Sequence, residues 1–332
     1  MPDRTAAFIR ALPKTETHLH IEGALPWELL HRIAPDRFAE PPASWNPGYR
    51  FADFHAFVAS LIRMATTWFT SPDRYHEAAC LVFRRLAREH NVRYVETSFA
   101  SGVVEHLGLD GRAVAEAVRT AAEGLLDVRV VLGIHHLGYH DGTSDWLDDC
   151  VSWPHLDGID LHGPETDPLG PWAADLWRRA RERGLLTKAH AGEFDGASFV
   201  RRVLDELRVE RIEHGVRSAG DPDLMRRLVA EDVVLDVCPV SNVKLGVATS
   251  YDDHPLRTLL EAGVRCTIST DDPLVFGQTL FDEYAMLAAA GHSHETLAHL
   301  AAEGFRAARA EPAWIQRQLD AVQDALSTYP SA

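Results

Sequence analysis

The chain has 332 residues, of which 46% are hydrophobic and 25% charged, with a formal net charge of -16. That balance supports a large buried core and excludes a disordered chain, while a surface this acidic repels phosphate backbones and anionic membranes, so neither nucleic acid nor membrane is an expected partner. Cys80, Cys150, Cys238 and Cys266 are scattered without CxxC spacing, which fits free thiols in a reducing compartment, and no run reads as a signal peptide or a membrane span; the cytoplasm is the expected location.

Residues 16–22 read as a first strand, and short runs rich in Val, Ile and Leu follow at 92–99, 128–135, 158–161, 185–189, 209–212, 233–237 and 264–269. Segments with helical spacing lie between them, at 112–126, 172–183, 197–207 and 223–230. Gly184 and Gly263 stop helices just before strands, and Asp221-Pro222 opens one with a capping carboxylate. Eight alternating strands predict an α/β fold, a single (β/α)8 TIM barrel over 1–332. A doubly wound sheet would gather its chemistry at one switch point rather than on most strand ends. One connection, 23–91, is far longer than an ordinary loop and helix, with helical stretches at 51–68 and 73–89. Its position after the first strand places it at the catalytic face, as a lid or as extra packing on the wall.

Polar clusters end many of these strands. His18 and His20, two apart on a strand, share one face and can grip one ion. His190 ends another strand, followed by Gly192-Glu193, and Asp271-Asp272-Pro273 ends the last. A lone HxH, or one aspartate before proline, is ordinarily structural. Together His18, His20, His190 and Asp271 supply three imidazoles and one carboxylate, a donor set without thiolate that suits one Zn2+, with iron or manganese as alternatives. Water on zinc has a pKa near 7, against ~15.7 in bulk, so a hydroxide nucleophile follows. HExxH, GxSxG, the phosphate loop and GxGxxG are all absent, and the HxE of His20-Ile21-Glu22 lacks a following PCxxC. Lys188, two residues before His190, is poorly placed to bridge two metals, which favours a mononuclear site.

Leu12-Pro13-Lys14, Thr17-His18-Leu19-His20-Ile21-Glu22-Gly23, Lys188-Ala189-His190-Ala191-Gly192-Glu193, Arg211-Ile212-Glu213-His214-Gly215, Cys238-Pro239 and Ser269-Thr270-Asp271-Asp272-Pro273 together resemble the adenosine/adenine deaminase family of the amidohydrolase superfamily. The resemblance covers nearly the whole chain. It implies a zinc barrel that removes the 6-amino group of an adenine ring, with His18, His20, His190 and Asp271 holding the metal. It further implies that Glu193 delivers a proton to ring N1, that His214 orients the attacking oxygen, that Asp271 takes part in catalysis, that Asp272 bonds N7, and that the Gly163 backbone approaches N3. His20 and Glu22 would also border the substrate.

The substrate signals divide. Glu22 stands where adenosine deaminases have an Asp that contacts the ribose 5′-hydroxyl, and this longer side chain resembles adenine deaminases, as does 238–245. Gly163 and 270–276 resemble the adenosine branch. Adenosine is the expected substrate, with adenine or a modified nucleoside such as aminodeoxyfutalosine as the alternatives. Ser241-Asn242 reads as a subfamily marker without a chemical role. A barrel hydrolase acting on another bond, or a purine-binding protein without catalysis, are the competing readings, and the intact residue set argues against the latter. The oligomeric state is open.

Overall fold

The structure is a computed structural model that describes residues 3–122 and 124–330. Eight parallel strands follow one another in sequence order: β1 (Lys14–His20), β2 (Val92–Ala100), β3 (Asp127–His135), β4 (Gly158–His162), β5 (Leu186–Ala191), β6 (Arg211–His214), β7 (Val234–Val237) and β8 (Arg265–Ile268). Backbone bonds from His20 N to Asp271 O, 3.1 Å, and from Asp271 N to His18 O, 3.0 Å, join the two edges. With helices on the outside, this is a (β/α)8 TIM barrel.

Three strand boundaries differ usefully from expectation. β1 ends at His20 rather than at residue 22, because Ile21 N bonds across to Ser98 O and the chain then turns, leaving Glu22 beyond the strand. β6 begins at Arg211 rather than 209, since Arg208 lies in the left-handed region at φ 51° after the preceding helix. β5 runs on to Ala191, so His190 lies within the strand. The helix expected over 112–126 stops at Thr120. The predicted punctuation holds: Asp221 caps Pro222–Ala230 by accepting from Asp223 N and Leu224 N, and Gly184 and Gly263 have φ of 74° and 80°.

The long connection contains two parts. Its last helix, Pro72–Glu89, capped by Ser71, packs on β2 and on the helix Gly111–Thr120, which is the ordinary place for a barrel helix. The additional material is the helix Trp27–Ile33, a 3-10 turn at Ala43–Trp45 and the helix Phe54–Trp68. The last of these begins at Phe54 rather than at residue 51 because Asp53 accepts from Ala56 N, 2.8 Å, and caps it.

Alternation along the strands sends Ile159, Leu161, Ala189, Ile212, Leu235, Val237 and Ile268 to the helix layer, where they join the hydrophobic core. The intervening residues face the axis, and they are largely charged. Lys188 Nζ lies 2.9 Å from Glu96, 2.6 Å from Glu213 and 3.1 Å from Asp236. Arg211 bridges Asp236 and Glu96. All five are buried, and although burial disfavours the charged Lys188, Asp236, Glu213 and Glu96 hold its pKa well above the usual lysine value. Removing one partner from such a network costs more than the net worth of the pair, since it strands like charges in a low dielectric. Lys188→Met is therefore expected to lower stability by about 3–5 kcal/mol in urea unfolding at neutral pH; a loss below about 1 kcal/mol would show that the network is replaceable.

Candidate active site

The C-terminal ends of β1, β5, β6 and β8 bring together the residues that the sequence singles out. His18 Nε2 and His20 Nε2 are 3.3 Å apart, and Asp271 Oδ1 lies 3.4 Å from the first and 3.1 Å from the second. Donors about 2.0–2.1 Å from one tetrahedral ion sit about 3.3–3.4 Å from each other, so this triangle has the edge lengths of a metal's coordination shell. His190 stands beside it, its ring centroid 4.9 Å from that of His18 and 5.2 Å from that of His20. Two nitrogens and a carboxylate oxygen facing one point, with no thiolate among them, fit zinc or a similar divalent ion.

Each imidazole is oriented from behind. His18 Nδ1 is 2.8 Å from Glu213 Oε2, His20 Nδ1 is 2.8 Å from Ser98 Oγ, and His190 Nδ1 is 3.1 Å from Asp160 Oδ2. With Nδ1 of His18 bonded to the Asp236 carbonyl at 3.2 Å and Nδ1 of His20 to Ser98, Nε2 of each is the nitrogen left to face the centre. Asp271 accepts a 2.7 Å bond from Ser241 Oγ on its other oxygen. Burial alone would raise the Asp271 pKa, but His18 and His20 hold it well below the usual carboxylate range.

Glu193 and His214 lie alongside. His214 Nε2 is 3.5 Å from Glu193 Oε1 and 4.0 Å from Asp271 Oδ2. Burial, reinforced by Asp271 and Glu165, pushes the Glu193 carboxyl well above its ordinary pKa, which favours its protonated form. Burial and the neighbouring His18 push His214 well below. Asp272 is raised by burial and by Asp271, and its buried Oδ1 has no hydrogen-bond partner among the described residues. His214 and Asp271 both have φ of 64°, a left-handed conformation that non-glycine residues seldom adopt. At β6 this turn matters directly: Arg211 and Glu213 already face the axis, so a continued strand would send His214 outward.

These side chains line a cavity of about 460 Å³ that also includes His20, Glu22, Gly163 and Asp272. The helix Phe54–Trp68 contributes Phe54, Phe57, Val58 and Leu61 to its wall. A cleft of about 610 Å³ at the N-terminal ends of the strands, by Asn91, Arg93 and Trp314, contains none of the candidate residues. Glu22 is buried, and its Oε1 accepts from Tyr75 OH, 2.8 Å, and Ala100 N, 3.0 Å. Gly163 has φ of 103°, and a Cβ there would stand 2.6 Å from the His135 ring. His162, bonded to Asp160 at 2.8 Å, fills space left by Gly133 on the same wall.

Several contributors were not singled out from sequence. Glu165 accepts from Gly192 N, Glu193 N and Phe194 N at 2.6, 2.8 and 2.7 Å, which fixes the turn that aims Glu193. Asp160 could have been found, since it is two residues from His162 and shares its face; Ser98 and Glu165 carry no local signal. The reading of Ser241-Asn242 as a marker without a role needs correcting: Ser241 bonds Asp271, and Asn242 Nδ2 is 3.2 Å from His214 Nδ1. Both sit on the short helix Pro239–Lys244, directly after β7, a helix that the sequence reading did not predict.

Comparison with known proteins agrees with this architecture. The adenosine deaminase family profile matches residues 13–325. An adenine deaminase of Chlorobium luteolum is 35% identical over 313 residues, covering 90% of this chain and 91% of that one. The crystal structure of an adenine deaminase from Arthrobacter aurescens superposes with a TM-score of 0.84 at 31% identity, covering 95% of this chain and 99% of that one. A zinc-bound amidohydrolase structure, at 23% identity and a TM-score of 0.79 over 99% of this chain and 96% of that one, shares the fold. The chain belongs to the adenosine deaminase family and is a deaminase-type hydrolase acting on purines.

Proposed function

We propose that the protein is a zinc-dependent adenine deaminase, converting free adenine to hypoxanthine and ammonia. The observation that carries the choice of free base is Glu22. Its carboxylate is pinned at the cavity wall by Tyr75 and the Ala100 amide, so it occupies the place where a shorter side chain would leave room for a ribose hydroxyl. The sequence reading put adenosine first and adenine second; the names of the relatives and the fixing of Glu22 support the reverse order.

His18, His20, His190 and Asp271 would hold one zinc ion, in keeping with the metal dependence of the family. Bound there, zinc would supply a water acidified to near neutral pH. Glu193, whose protonated form burial favours, donates its proton to ring N1 and makes C6 electrophilic. His214, between Glu193 and Asp271, orients the attacking oxygen. Asp272, whose protonated form burial and Asp271 favour, donates from its unpartnered oxygen to N7, and the Gly163 backbone lies against the N3 side. The helix Phe54–Trp68 covers the ring and excludes water, the role we assign to the 23–91 segment.

Ammonia release by zinc-loaded protein should show kcat/KM for adenine at least about 100-fold above that for adenosine, the scale of discrimination that pocket shape provides; equal values, or a preference for adenosine, would overturn the substrate assignment. Glu193→Gln should keep its zinc, measured by elemental analysis, while kcat falls by about 10²–10⁴-fold. Near-normal turnover in that variant would remove Glu193 from the mechanism.

A further inference from the structure

Behind His214 runs a chain of three hydrogen bonds with only one consistent direction. It begins at the backbone N–H of Leu256, 3.1 Å from His254 Nδ1. A backbone N–H can only donate, so His254 Nδ1 must accept, and the ring carries its hydrogen on Nε2. His254 Nε2 lies 3.1 Å from Asn242 Oδ1, and the Asn242 amide nitrogen then faces His214 Nδ1 at 3.2 Å. An amide NH2 also can only donate, so His214 Nδ1 must accept in its turn. The single hydrogen of the His214 ring is thereby placed on Nε2, the nitrogen directed at Glu193 and Asp271.

We propose that Asn242 and His254 are positioning residues that fix His214 in the Nε2–H tautomer, so that it meets the reaction as a hydrogen-bond donor. The catalytic consequence rests on the role given to His214 above; the tautomer itself does not. Both side chains are buried, which keeps water from substituting for either link. Burial together with His292 lowers the His254 pKa to about 4, consistent with a ring that stays neutral and directional. The Asn242 backbone is also held, its carbonyl accepting from Val247 N and Ala248 N at 2.8 and 3.0 Å, so the amide cannot drift from its two partners. A donor at Nε2 suits a group that stabilises negative charge gathering on the attacking oxygen. The opposite tautomer would present a lone pair there and repel it.

The tautomer can be read without substrate. In zinc-loaded enzyme labelled with 15N-histidine, long-range proton–nitrogen correlation should show His214, assigned by its loss in His214→Gln, as Nε2–H. Asn242→Asp replaces the donor by an acceptor, and should switch His214 to Nδ1–H while kcat falls by about 10- to 100-fold. His254→Leu, which leaves the Asn242 amide unaligned, should mix the two tautomers, and His254→Gln, which keeps a donor at that place, should restore the wild-type pattern. Nδ1–H in the wild type, or an unchanged pattern in both Asn242→Asp and His254→Leu, overturns the relay. A switched tautomer with wild-type kcat overturns its catalytic meaning. Absence of adenine turnover in the wild type with the nitrogen pattern as expected would count against the substrate assignment alone.

Discussion

One carboxylate joins the structural core of this barrel to its chemistry. Glu213 lies 2.6 Å from Lys188 through one oxygen and 2.8 Å from His18 Nδ1 through the other. Below it, Lys188 and Arg211 neutralise Glu96 and Asp236; above it, His18 has its ring turned so that Nε2 faces His20 and Asp271. A barrel interior of this kind is ordinarily filled with branched apolar side chains. Here each buried charge has a partner of opposite sign, and the same layer meets the first imidazole, whose Nδ1 lies 2.8 Å from Glu213 Oε2 and 3.2 Å from the Asp236 carbonyl. Disturbing the lower layer therefore reaches the site through Glu213, with no movement of the backbone required.

The same economy of orientation recurs around the ring of strand ends. Ser98 and Asn242 each bond the far nitrogen of a histidine, Asp160 lies 3.1 Å from that of His190, and Glu165 gathers the three amides of the turn that carries Glu193. Left-handed backbone at His214 and Asp271 brings adjacent residues, Glu213 with His214 and Asp271 with Asp272, to bear on one centre, which an uninterrupted strand forbids. Strain of this kind persists only where the surroundings over-determine it, and the hydrogen bonds from Ser241 and Asn242 are part of that determination.

The alternation of apolar runs with helical segments made the barrel legible, and the two-residue spacing of His18 and His20 made their shared face legible, because both follow from simple periodicity. The convergence of His190, Glu193, His214, Asp271 and Asp272 was legible from their places at strand ends. The groups that orient them were not, because Ser98 and Glu165 look like any strand or loop residue and act only across the sheet. Asn242 was passed over for a similar reason: its partners, His214 and His254, lie on other elements, and no spacing in the chain connects them. Glu22 pulled one way and Gly163 the other as indicators of substrate. What the sequence could not supply was the Tyr75 hydroxyl, 53 positions along the chain, which holds the Glu22 carboxylate in place.

The proposed chemistry rests on one zinc ion held by His18, His20, His190 and Asp271. X-ray absorption at the zinc edge, on protein loaded to saturation and freed of excess metal, tests it most directly. One zinc per chain is expected, with nitrogen and oxygen neighbours at about 2.0–2.2 Å and outer-shell scattering from three imidazole rings. A sulfur neighbour at about 2.3 Å, which would bring in the nearby Cys238, or a stoichiometry of two, would contradict it.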